Sequence, residues 1–280
     1  MKKILIAIFG LLTSFNTNAQ VAENLKYRNS QMKFRALADM GFLWAVSNKV
    51  QFGQDGTYFD YVKDGGQDVL FPVTRFSVEM DYKKRNAFIL LYQPLRLESE
   101  VYLNNDVKFN GTTFPAKSGM KCLYNFPFYR LSYLRELLPK NPKYDFAIGA
   151  SLQIRNANIT FKSLDGTRFT RNGGVGPVPA LKFRGKMKLN SFLYAQLETD
   201  GMYAPISYLN GSDNEIVGAI VDANLSAGAK VNNRNNIFIN LRYLGGGAVG
   251  TNPDDPGPGD GYVRNWLHFV IGSVGFAYNF

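Results

Sequence analysis

Gly275-Phe276-Ala277-Tyr278-Asn279-Phe280 closes the chain, and its rhythm governs how the rest is read. Aromatic residues recur at every second position, so Phe276, Tyr278 and Phe280 share one face of an extended strand. The same period runs backward through the sequence. Near 32–47, Phe34, Ala36, Ala38, Met40, Phe42 and Trp44 alternate with Lys33, Arg35 and Asp39. Near 69–82, Phe76, Val78, Met80 and Tyr82 alternate with Arg75, Ser77, Glu79 and Asp81. Near 144–161, Phe146 to Ile154 alternate with Asp145, Ser151, Gln153 and Arg155, and near 216–231, Val221 to Ala229 alternate with Asp222, Asn224, Ser226 and Lys230. One face of each strand is apolar and the other carries charge.

Four short polar breaks separate pairs of such runs: Lys83-Lys84-Arg85-Asn86, Pro139-Lys140-Asn141-Pro142, Leu189-Asn190-Ser191 and Asn232-Asn233-Arg234-Asn235. Five longer stretches, near 48–68, 98–118, 163–177, 202–215 and 248–261, hold most Gly, Asp and Pro clusters and read as loops. The remaining strands fall near 87–97, 119–135, 178–188, 192–201, 236–247 and 262–280. The expectation is an all-β, antiparallel up-and-down barrel of ten strands, with both ends of the chain on the short-turn side. A hairpin over Val101 to Phe114 raises the count to twelve if it spans, and leaves it at ten if it projects beyond the rim. Asn125 and Pro127 share a parity with Leu123 and Leu131, which predicts a bulge or edge irregularity there.

The ending Phe276, Tyr278, Phe280 resembles the C-terminal signal by which the assembly machinery recognises bacterial outer-membrane β-barrels. That resemblance implies a transmembrane barrel in a Gram-negative outer membrane, with outer-membrane lipid and the barrel-assembly machinery as partners. The other end agrees. Met1-Lys2-Lys3, the apolar run Ile4 to Leu12 and the small polar segment Thr13 to Gln20 form a secretory signal peptide, too short for the roughly 20 residues of a spanning helix. Its Asn-Ala-Gln ending resembles signal peptides of Bacteroidota. The domain division is therefore a signal peptide over 1–20 and a barrel over 21–280, with Val21 to Ser30 as a short leader.

Composition narrows the function classes. The chain has 22 Phe, 16 Tyr and 2 Trp, which suits lipid-facing strands. No apolar stretch after the signal reaches the length of a spanning helix, so a membrane location demands a closed barrel. A periplasmic β-sandwich explains the alternation but not the aromatic ending. Formal charge falls from +10 to +8 once Lys2 and Lys3 leave with the signal. No recognition helix accompanies that charge, so nucleic acid is not an expected partner. Cys122, the single cysteine, rules out an internal disulfide.

The densest charge lies in Lys182, Arg184, Lys186 and Lys188, alternating with Leu181, Phe183, Gly185, Met187 and Leu189. Four cations pointing into one lumen would repel one another. A tight turn centred on Ser191 would set Arg184 opposite Glu198, Lys182 opposite Asp200, Lys186 opposite Gln196 and Lys188 opposite Tyr194, a pairing that stabilises sheets. This ladder reads in two ways. It is part of a satisfied polar plug with Arg35, Arg75, Arg242, Glu79, Asp81 and Asp222, since small barrels are filled by their own side chains. Alternatively, it lines a narrow, porin-like anion path.

Catalytic patterns are missing. Lipid A deacylases and outer-membrane phospholipases of this architecture place His and Ser two residues apart on one strand, but the single His268 is followed by Phe269 and Val270. Omptin proteases share the ten-strand expectation and use an Asp-His pair. Glu198-Thr199-Asp200 has no His partner in sequence, and Asp-x-His does not occur. His268 shares a face with Trp266 and Val270, where an interfacial ring is comfortable. An outer-leaflet lipid-modifying enzyme is thus the third reading. The 252–261 loop has acidic oxygens without the spacing of a Ca²⁺ loop, and Gly65-Gly66 precedes no helix pattern, so no metal or cofactor is implied. The resulting expectation is a non-enzymatic scaffold or interaction barrel with a charged, largely plugged interior.

Overall fold

The computed structural model describes residues 32–83, 85–205, 216–251 and 259–280. The expected signal peptide over 1–20 and the expected leader over 21–30 lie outside these residues. The described chain contains fifteen strands: β1 (Met32–Phe52), β2 (Phe59–Asp60), β3 (Leu70–Tyr82), β4 (Asn86–Gln93), β5 (Arg96–Tyr102), β6 (Val107–Phe109), β7 (Thr112–Phe114), β8 (Gly119–Asn125), β9 (Phe128–Glu136), β10 (Tyr144–Ser163), β11 (Phe169–Lys188), β12 (Leu193–Pro205), β13 (Val217–Lys230), β14 (Asn235–Thr251) and β15 (Tyr262–Asn279). Ten of them form the wall in the order β1-β3-β4-β9-β10-β11-β12-β13-β14-β15. The antiparallel pairing of β15 with β1 closes the circle. The protein is an all-β, closed, antiparallel ten-strand barrel with extra strands. Closure satisfies the edges that an open sheet would leave unpaired.

The predicted faces are present. Met40, Phe42, Trp44, Phe76, Val78, Leu131, Leu152, Leu225, Leu241, Val274 and Phe276 point outward and are exposed, forming an apolar band. Three of the short turns use one device. Asn141 Oδ1 accepts from the amides of Lys143 and Tyr144, Asn190 Oδ1 from Phe192 and Leu193, and Asn232 Oδ1 from Arg234 and Asn235. An Asn side chain that mimics a backbone turn explains why these breaks are so short.

The strands run further into the loops than alternation alone suggests. β1 reaches Phe52 and β11 begins at Phe169 rather than near 178. Conversely, the runs expected over 87–97 and 119–135 are each broken by a proline, Pro94 between β4 and β5 and Pro127 between β8 and β9. A proline removes a ladder donor and bends the strand. β8 still pairs with the loop-end part of β10, with Phe161 opposite Cys122, and β5 pairs with β8. Together with the small β6–β7 hairpin they project beyond the wall, so the count stays at ten.

The loop end is closed by a hydrophobic core. Inward residues of β1, β3, β14 and β15 there are apolar (Leu43, Ala45, Phe71, Val73, Leu244, Phe269 and Ile271). The loop after β1 folds back over them: Phe59 and Tyr61 are buried, and β2 pairs with Lys49 and Val50. Phe109 of the β6–β7 hairpin stacks on Phe161 at 3.7 Å between ring centroids, with Phe59 edge-on to both at 5.5 and 5.7 Å. Such edge-on and stacked rings are favourable beyond the area they bury. Tyr124 reaches across to β15, its hydroxyl 3.2 Å from Asn265 Oδ1.

Candidate functional site: the charged lumen

Below the aromatic core the interior is ionic. The turn at Ser191 sets the β11–β12 register with Lys182 opposite Asp200, Arg184 opposite Glu198, Lys186 opposite Gln196 and Lys188 opposite Tyr194. Register and ion pairing are not the same thing, however. Lys182 Nζ lies 2.8 Å from Asp200 Oδ2 and 3.6 Å from Glu198 Oε2. Arg184 looks across the lumen instead, 3.6 Å from Glu79 on β3, which also pairs with Arg35. Lys186 sits over the Tyr194 ring at 4.2 Å, and Lys188 donates to the Pro142 carbonyl at 3.0 Å.

The middle layer is held by Arg130, a residue that sequence reading did not single out. Its Nη1 lies 2.8 Å from Asp200 and its Nη2 2.7 Å from Asp222, and it also donates to Gln153 Oε1. Asp200 additionally accepts from Ser151 at 2.6 Å. Arg242 forks onto Asp222 at 2.5 and 2.7 Å and donates to Gln93 across the barrel. Arg75 pairs with Asp39 at 2.8 Å. Arg130, Lys182, Asp200, Asp222 and Arg242 are all buried. Bidentate Arg–carboxylate bonds fix geometry as well as charge, and this layer ties β9, β12, β13 and β14 together through the lumen. The signal for Arg130 was available, since Phe128, Arg130, Ser132 and Leu134 alternate with Tyr129, Leu131 and Tyr133. Pro127 obscured that parity.

Toward the short turns the network opens into a vestibule of about 690 Å³. Lys33, Arg35, Lys83, Arg85, Arg184, Lys186 and Lys188 line it against Asp81, Glu136 and Asp145. Cations exceed carboxylates there, so the vestibule favours anions. The next inward-facing rung beyond Arg184 is Lys182 opposite Asp200, the carboxylate that Arg130 also holds. Tyr194 packs over Gly228, where an added Cβ would lie 2.3 Å from the ring, and Phe238 packs over Gly275 in the same way.

The remaining singled-out residues lie on the outer surface. Phe276 and Phe280 are exposed on β15 and its end, and the Tyr278 and Phe280 rings meet edge-on at 5.0 Å. His268 also faces outward. Its Nδ1 is 2.6 Å from the Tyr243 hydroxyl, and its cross-strand neighbour on β1 is Ser47, next to a bulge at Val46. Among the described residues no cluster of three or more His, Cys, Asp or Glu is arranged to hold a metal.

The sequence matches no protein-family model and no curated protein. Solved structures do match. The outer-membrane protease OmpT from Escherichia coli superimposes with a TM-score of 0.53 at 13% identity, over 89% of this chain and 97% of that one. The translocator domain of the autotransporter NalP from Neisseria meningitidis gives 0.43 at 14% identity, over 97% and 96%. The outer membrane protein OprG from Pseudomonas aeruginosa gives 0.35 at 10%, over 89% and 95%. The fold is that of bacterial outer-membrane β-barrels.

Proposed function

We propose that the protein is an outer-membrane barrel of non-enzymatic scaffold or interaction type, sealed along its axis, with recognition carried by its loops. In this reading residues 1–20 are a cleaved signal peptide, both termini are periplasmic, and the outward apolar band meets outer-membrane lipid. Phe276, Tyr278 and Phe280 present the assembly signal to the insertion machinery. The observation that carries the reading is Arg130, bridging Asp200 and Asp222 in mid-lumen beneath a closed aromatic core. A chain of buried ion pairs at this depth, with an apolar core above it, supports a lumen without a continuous polar route.

The test is solute entry into proteoliposomes that carry heat-modifiable, refolded barrel. Vesicles as tight to arabinose and chloride as empty ones are expected. Swelling in isotonic arabinose overturns the sealed reading. A narrow anion path is the second reading, favoured by the surplus of cations in the vestibule. Chloride entry without arabinose entry would select it, with Lys182, Arg184, Lys186 and Lys188 as its lining.

A further inference from the structure

The barrel wall has a seam. Among the described residues, β11 pairs with β10 from Lys162 opposite Phe169 to Tyr144 opposite Met187, but with β12 only from Lys188 to Leu181. Continuing that register would set Pro179 opposite Tyr203 and Pro177 opposite Pro205, and neither pair forms. Pro177 and Pro179 lie opposite Ile154 and Leu152 in an unbroken β10–β11 ladder, so their nitrogens face β12. These are the positions that should donate across the seam, and proline cannot. The segment Gly176-Pro177-Val178-Pro179 thus encodes an edge within a barrel. The seam opens in the apolar band, between exposed Leu181 and Val175 and beside Ile154.

On the lumen face of β10, the strand next to β11, two donors are unused. Gln153 Nε2 is buried and donates to nothing, while Gln153 Oε1 is committed to Arg130. Two residues along the same face, Arg155 has neither a hydrogen bond nor an ion pair. Its Nε is shielded from solvent, and its guanidinium lies over the Phe126 ring at 5.6 Å. Among the described residues, the other lumen arginines, Arg35, Arg75, Arg130, Arg184 and Arg242, are all paired. An unpaired guanidinium in such a place is costly unless an anion completes it. Opposite Arg155 on β11 is Gly176, where an added Cβ would meet no described atom within 4 Å.

We propose that Gln153, Arg155 and the β11–β12 seam form a site for a single-chain amphiphile with an anionic head. The carboxylate or phosphate takes the Arg155 fork and Gln153 Nε2. The alkyl chain passes beside Gly176 and out through the seam past Pro177 and Pro179. The inference rests on the membrane reading above for where that chain lies.

Refolded, heat-modifiable barrel in non-ionic detergent is incubated with palmitate, 1-palmitoyl-lysophosphatidylglycerol or hexadecanol, then examined by native mass spectrometry. One bound palmitate or lysolipid per barrel and no hexadecanol are expected, and which anion is retained names a fatty acid or a phospholipid as the source. Arg155→Gln and Gly176→Leu should each cut retention by about tenfold, the loss of one charge-assisted contact or of the space for the chain. Equal retention of hexadecanol, no retention of either anion, or retention untouched by both substitutions overturns the proposal. If a variant fails to fold, the wild-type comparison of palmitate with hexadecanol decides. Tight vesicles with no bound amphiphile would remove this site alone, whereas leaky vesicles would remove the sealed lumen.

Discussion

Arg130 holds the centre of the lumen because it meets two carboxylates at once, each already shared with another cation. Replacing it with Ala leaves Asp200 and Asp222 buried with one cation each. The expected loss is about 3–5 kcal/mol, the range for breaking a buried pair, measured by urea unfolding in detergent micelles. A loss below about 1 kcal/mol, the value of a surface pair, would show that Arg130 does not hold the lumen together. Cys122 is packed into the aromatic core, and burial pushes its thiol up to about 12. Maleimide at pH 8 should therefore spare the folded barrel and label it after unfolding; rapid labelling of folded protein would show that the core admits solvent. Asp165 behaves differently. Its carboxylate accepts from Ser163 Oγ, and from the amide and hydroxyl of Thr167, which holds its pKa at about 2 against an ordinary 3.8. A depressed pKa stabilises the clasp above the ordinary value and ceases to do so as pH falls through the folded one. The β10–β11 connection should loosen between about pH 4 and pH 2, seen as faster amide exchange at Thr167. Unchanged exchange across that window would contradict the clasp.

At the scale of the element, much was legible. Alternation placed Phe76 outward and Glu79 inward, and the turn at Ser191 fixed which residues of β11 and β12 stand opposite one another, because a strand has a period of two and a tight turn leaves no slack. The aromatic core was not legible for the same reason. Where both faces are apolar, as in Trp266-Leu267-His268-Phe269-Val270-Ile271, alternation vanishes, and only the loop that folds over the inner face explains it. The destination of Arg184 was also hidden. Register names neighbours along the wall, whereas Glu79 lies across the lumen. The seam could have been read from Pro177 and Pro179, since alternate prolines silence one edge of a strand. Pro177→Val with Pro179→Val should let the ladder grow past Leu181 and protect the Tyr203 amide from exchange. Exchange at Tyr203 as fast as in the wild type would mean that something other than the prolines keeps the seam apart.

The whole molecule divides its interior by height. A basic vestibule faces the short turns, a layer of paired ions crosses the middle, and an aromatic core under interlocked loops closes the far end. Thr57 and Lys108 exchange hydrogen bonds between the loop after β1 and the β6–β7 hairpin, and Asp260 accepts from the Gln54 amide, so three connections brace one another. Small barrels fill their own interiors, and here the filling changes from ionic to apolar along the axis. Excess positive charge in the vestibule draws anions to a chamber that ends at Arg130. In the proposed sealed barrel this chamber leads nowhere. Single-channel conductance of the refolded, heat-modifiable protein in a planar bilayer tests it most directly. A silent bilayer at either polarity is expected. A steady, anion-selective current carried past Arg130 would contradict it.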